Sequence, residues 1–196
     1  FAEQVISSRM SPSKTSGMVL RPLEMFPPLG ELDEANILLD ARDKERLRAK
    51  LETCFPSLER SCIDSIPIGA VNFIATYTET ADEFRVGLLD WSNGDARWKN
   101  KFNNYFYSTL FTIRRGKRGI RKYYVGWDTY LSLSGGNIRY LLELVHSAFV
   151  AHLGEERKAN QPISFETQTK AAEAVGKKNL AELEGAACRS YAPTLP

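Results

Sequence analysis

Apolar positions fall at helical spacing along most of this chain. After Asp43, "DKERLRAKLETCF" places Leu47, Leu51 and Phe55 at i, i+4 and i+8, which predicts a helix with one apolar stripe ended by Pro56. Residues 95 to 113 set Trp98, Phe102, Tyr105, Phe106, Leu110 and Ile113 on one helical face, with lysines and asparagines mostly opposite and Asp95 placed to cap. That aromatic stripe reads as core. A third helix runs from about Ile138 to Leu153 on Ile138, Leu141, Leu142, Val145, Ala148 and Phe149, and Gly154 is placed to end it. The run "IGAVNFIATYT", residues 68 to 78, is β-branched and aromatic and predicts a buried strand, although a buried helix has the same uninterrupted apolar pattern.

Beyond the charged stretch "GEERKANQP", Ser164 is positioned to cap a helix bearing Phe165, Ala171, Ala172 and Val175. Gly176 is read as its end, and a second helix would carry Leu180 and Leu183. Two short helices about a tight turn predict the front of a helix-turn-helix or winged-helix unit. The expected fold is therefore mainly α with minor β. It comprises an irregular region with one helix and a core strand at 1–84, a helical lid-like bundle at 85–160, and the start of a winged-helix-like region at 161–196.

Composition narrows the classes without choosing among them. The chain has 196 residues, is 43% hydrophobic and 26% charged, and carries a net charge of +2, so a packed globular core is expected. No apolar run reaches the roughly 18 residues that would cross a bilayer, and there is no secretory leader pattern, so a cytoplasmic location without a membrane partner is expected. Cys54, Cys62 and Cys188 have no metal-binding spacing and read as free thiols of a reducing compartment, while His146 and His152 share no i, i+4 face. The Ser, Pro and Gly of "SPSKTSG" and "MFPPLG" read as linker, and the acids Glu31, Asp33 and Glu34 as a solvated helix start. Because the chain begins at Phe1, we expect a fragment or processed form.

Two stretches carry candidate chemistry. "RRGKRGIRK" crowds Arg114, Arg115, Lys117, Arg118, Arg121 and Lys122 around Gly116 and Gly119, a glycine-hinged loop suited to phosphate backbones. Tyr123, Tyr124 and Trp127 follow it as stacking surfaces or as core. "LSGGNIRYLLELV" sets Gly135, Gly136 and Asn137 before a strongly apolar helix with Arg139 in its first turn. A cation there opposes the helix dipole by about 0.3–1 kcal/mol, which suits either an anion-binding arginine or an ordinary helix start. No GxxxxGK[ST] cradle and no catalytic constellation occurs in the sequence.

Gly135, Gly136, Asn137 and Arg139, with "YLLELV" after them, resemble the sensor-2 segment of AAA+ ATPases of the initiator, origin-recognition-like type. The aromatic helix, the basic stretch and "YYVGWDTYLSL" resemble the same group, so the resemblance spans roughly residues 85 to 185. It implies that Arg139 reaches the ATP γ-phosphate from a helical lid, that Asn137 caps the helix, and that the glycines allow close approach. It also implies a nucleotide-binding domain, upstream in a longer parent or lost, that would supply the P-loop and Mg, so this chain alone would be inactive as an ATPase. DNA and a homo-oligomeric or other protein partner are implied as well. The alternative is a non-enzymatic helical module that binds DNA or a protein through the basic loop, with "SGGNIR" as a plain cap.

Overall fold

A computed structural model describes residues 21–57, 59–116, 118–155 and 160–190; Lys117 and the "SPSKTSG" segment lie outside them. All regular structure among these residues is helical: α1 (Pro22–Met25), α2 (Glu31–Leu38), α3 (Ala41–Cys54), α4 (Arg60–Ser65), α5 (Ile68–Thr76), α6 (Ala81–Ser92), α7 (Ala96–Ile113), α8 (Trp127–Leu133), α9 (Ile138–Gly154) and α10 (Phe165–Ser190). The fold is mainly α, as the periodicity predicts. No described helix is long and apolar enough to cross a membrane. The chain forms two compact units, one of residues 30–122 and one that joins residues 1–29 to 123–196.

The 30–122 unit is built around α5, the segment whose composition predicts a strand. It is a helix, and the correction has a physical cause. Helices α2, α3, α6 and α7 all pack on it, so nearly every side is covered and apolar residues occupy all its faces. Gly69, Ala70, Val71, Phe73 and Ile74 are buried along it. Pro67 starts the helix, its carbonyl accepting the N–H groups of Ala70 and Val71. Gly69 lets α2 come very close: a Cβ there would lie 2.5 Å from the Leu32 carbonyl oxygen. The acidic helix start at Glu31 opens α2, and between α3 and α5 the fold adds the short helix α4.

Capping follows the sequence closely. Asp40 accepts the Asp43 N–H at the start of α3, and Asp95 accepts those of Arg97 and Trp98 at the start of α7. Thr80 and Glu83 form a reciprocal capping box on α6. The N–H groups of Glu79 and Thr80 hold the Glu83 carboxyl below the usual carboxylate range. Of the predicted aromatic stripe on α7, Trp98, Phe102, Phe106 and Leu110 are buried, whereas Tyr105 is half exposed and Thr109 is buried in the stripe.

The second unit pairs α9 with α10, and α8 packs against α9. Met25 and Phe26 from the amino-terminal segment join this core with Trp127, Tyr130, Leu141, Val145, Ile163 and Val175. The Ile163 N–H donates to the Met25 carbonyl, and Phe26 packs on Tyr130 with ring centroids 4.9 Å apart. Ser164 caps α10 through the Thr167 N–H. Gly176 does not end that helix. Residues 165 to 190 form one continuous helix, so the two helices and tight turn read from the sequence are absent there. A mid-helix glycine costs about 1 kcal/mol relative to alanine, which burial of Ala171, Ala172 and Val175 readily offsets.

Candidate phosphate and nucleic-acid contacts

In the 123–196 unit, the "SGGN" turn connects α8 to α9. Gly135 and Gly136 take φ values of 57° and 79°, a left-handed conformation that side chains rarely adopt, and a Cβ on either would meet no atom within 4 Å. The space beside the turn is therefore open. The Asn137 side chain accepts the Arg139 N–H at 3.0 Å and so satisfies one of the first-turn donors. Any further charge recognition at this end rests chiefly on the Arg139 guanidinium.

That guanidinium is uncompensated. Glu143, one turn on from Arg139, is the natural i, i+4 partner for it. Glu143 is instead bonded by Lys178 of α10, whose ammonium lies 2.6 Å from its carboxylate and 3.8 Å from Glu182. The bond to Glu143 raises the Lys178 pKa, while the nearby Arg139 charge lowers it. Arg139 is exposed and makes no ion pair among the described residues. All four predicted residues of this site, Gly135, Gly136, Asn137 and Arg139, thus lie together at one helix start.

The basic loop belongs to the 30–122 unit and divides into anchors and free charges. Arg114 is a structural staple: its Nε donates to the Leu38 carbonyl at 3.2 Å and its guanidinium to the Arg118 carbonyl at 3.4 Å. Gly116 and Gly119, at φ 77° and 106°, turn the chain back on itself to permit this. Lys122 is also engaged. Its ammonium lies 3.5 Å from Glu34 and 4.1 Å from the Tyr107 ring centroid. Glu34 is consequently 5% exposed, not solvated as its position in an acidic helix start suggests. Arg115, Arg118 and Arg121 are exposed and make no ion pair among the described residues. Tyr123 and Trp127 are core, at 8% and 4% exposure, and cannot serve as open stacking surfaces.

What the sequence misses is an aromatic surface beside this loop. Tyr107 and Phe111 lie one turn apart on α7, 47% and 48% exposed, opposite the buried stripe. Helical periodicity around Trp98, Phe102 and Phe106 could have revealed their outward placement, but the dense aromatic content draws the eye to a single core face. Among the described residues, no three acidic, cysteine or histidine side chains group to hold a metal ion.

No curated protein and no solved structure matches the chain. The ORC-CDC6-like family matches residues 1–191, nearly the whole length and both structural units. The initiator-type resemblance carried by Gly135, Gly136 and Arg139 agrees with this match, and the chain belongs to the ORC-CDC6-like family.

Proposed function

We propose that this chain supplies the lid and carboxy-terminal part of an ATP-dependent switch, with Arg139 as the residue that senses the terminal phosphate. The observation that carries this is the diversion of Glu143 to Lys178, which leaves Arg139 as an exposed, unpaired fork at a helix start. The residues present fit one phosphate contact: open space beside Gly135 and Gly136 admits the anion, and the guanidinium offers paired N–H donors. An upstream nucleotide-binding domain would hold the rest of the nucleotide and its Mg. ATP supplies the phosphate charge, and this chain's contribution is mechanical. Arg139 stands at the start of α9, whose buried face packs along α10, so restraint at Arg139 acts on a rigid helix pair.

The test compares ATP affinity of the longest natural form containing this chain, wild type beside Arg139→Ala. A charge-assisted contact worth about 1.5–3 kcal/mol predicts a loss on the order of 10- to 100-fold, with an unchanged thermal midpoint because the side chain is exposed. Equal affinity in both forms returns "SGGNIR" to a plain helix cap.

A second reading is favoured by the basic loop. Arg114 and Lys122 hold it in place, and Arg115, Arg118 and Arg121 project unpaired from it, an arrangement suited to nucleic-acid phosphates. Replacing those three arginines with glutamate is expected to abolish DNA retention and leave ATP response intact. Retention of DNA by this variant would make the loop a solvated turn.

A further inference from the structure

The loop and α7 together carry a more specific signature than positive charge. From Ala96 to Lys122 the chain contains no aspartate or glutamate, while lysines, arginines, asparagines and aromatics alternate through it. The buried side of α7 uses Trp98, Phe102, Phe106 and Leu110. The opposite side presents Asn100, Asn104, Tyr107 and Phe111, all exposed, and Arg115 follows Phe111 by four residues. The Arg115 N–H donates to the Thr112 carbonyl, so the chain is still turning there and keeps Arg115 near this face. Arg114 draws the Arg118 backbone back to the same helix end.

The aromatics are not idle core residues. Tyr107 has Lys122 over its ring and Phe106 at 5.8 Å, and partial burial together with the nearby Glu31 raises its hydroxyl pKa. Of the acids of α2, Glu34 is engaged by Lys122, and Glu31 lies near the Tyr107 hydroxyl. Phe111 makes no ring pair among the described residues and is half exposed beside uncompensated arginines.

A duplex hides its base faces within the stack and offers a protein mainly phosphates and groove edges. Exposed rings next to free arginines suit bases that are unstacked. Resting on the second reading above, we infer that this face binds single-stranded nucleic acid, with Arg115, Arg118 and Arg121 on the backbone and Phe111 stacking on a base. Tyr107 forms the fixed edge of that platform.

Fluorescence anisotropy of the full chain with labelled 12-mer oligothymidylate, oligouridylate and a mixed-sequence duplex tests this. The wild type should hold the single strands more tightly than the duplex, and the two single-stranded probes tell whether DNA or RNA is preferred. Phe111→Ala should weaken single-strand binding on the order of 5- to 100-fold, the range seen when a stacked aromatic is removed. It should leave duplex binding unchanged, and Phe111→Trp should restore the loss. The salt slope should stay the same in Phe111→Ala but fall by about 2 when Arg115, Arg118 and Arg121 are replaced together by alanine, since each single-strand phosphate contact contributes roughly 0.7. If Phe111→Ala leaves single-strand binding intact, or weakens duplex and single strand equally, the stacking inference fails while a charge-only loop survives. If the wild type holds no oligonucleotide, both the inference and the reading beneath it fall.

Discussion

Phe73→Ala should be among the most damaging single changes to the 30–122 unit. Phe73 is fully buried on α5, and its ring lies 5.0 Å from Tyr77, 5.2 Å from Phe102, and 6.3 to 6.4 Å from Trp91, Trp98 and Phe106, centroid to centroid. Truncation removes the apolar transfer contribution and opens a cavity that these large, mutually packed rings cannot collapse to fill. The expected cost is about 3–5 kcal/mol, a large share of the roughly 5–15 kcal/mol that stabilises a typical domain. Urea unfolding followed by far-UV circular dichroism should show the lowered midpoint. Phe111→Ala provides the contrast, since its ring is half exposed and the expected change lies within about 0.5 kcal/mol. Equal midpoints for the two variants would mean that Phe73 is not the centre of the cluster.

Gln168→Leu should be comparably costly in the other unit, for a polar reason. The Gln168 side chain is fully buried on α10; its Nε2 donates to the Ile163 carbonyl at 2.8 Å and its Oε1 accepts the Gly126 N–H at 2.9 Å. Its backbone carbonyl also accepts the Tyr130 hydroxyl at 2.8 Å, and burial pushes that hydroxyl's pKa up. Leucine nearly preserves the volume, so the change isolates hydrogen bonding from packing. It strips one buried acceptor and one buried donor of their partner at about 1–3 kcal/mol each, or roughly 2–6 kcal/mol together. Amide hydrogen exchange at Gly126 should speed up in the variant before the unit unfolds. A neutral or stabilising Gln168→Leu would show that apolar packing alone holds the segment before α8.

Family membership and the initiator-type resemblance agree over nearly the whole chain. The two proposed sites lie in separate units: Arg139 at the start of α9 in one, and the cationic aromatic face of α7 and its following loop in the other. Separate variants address each. Arg139→Ala leaves the oligonucleotide face untouched, and the triple arginine replacement leaves the "SGGN" turn untouched.

The chain's order of residues was enough to locate several helix starts and the candidate phosphate contact. Asp95, Asn137 and Ser164 cap through their own side chains within two or three residues, and such local bonding can be read from a short window. Gly135, Gly136, Asn137 and Arg139 fall within five residues, so that candidate is visible in the same short window. Tertiary structure decided everything that depends on what covers a residue. It made "IGAVNFIAT" a helix by surrounding it with four others, and carried α10 through Gly176 by burying the flanking alanines and Val175. It took Lys122 out of the basic loop by pairing it with Glu34, and left Arg139 unpaired by giving Glu143 to Lys178. These pairings join residues 35 or more positions apart, so their free energies depend on a fold that no local pattern of charge or hydrophobicity encodes.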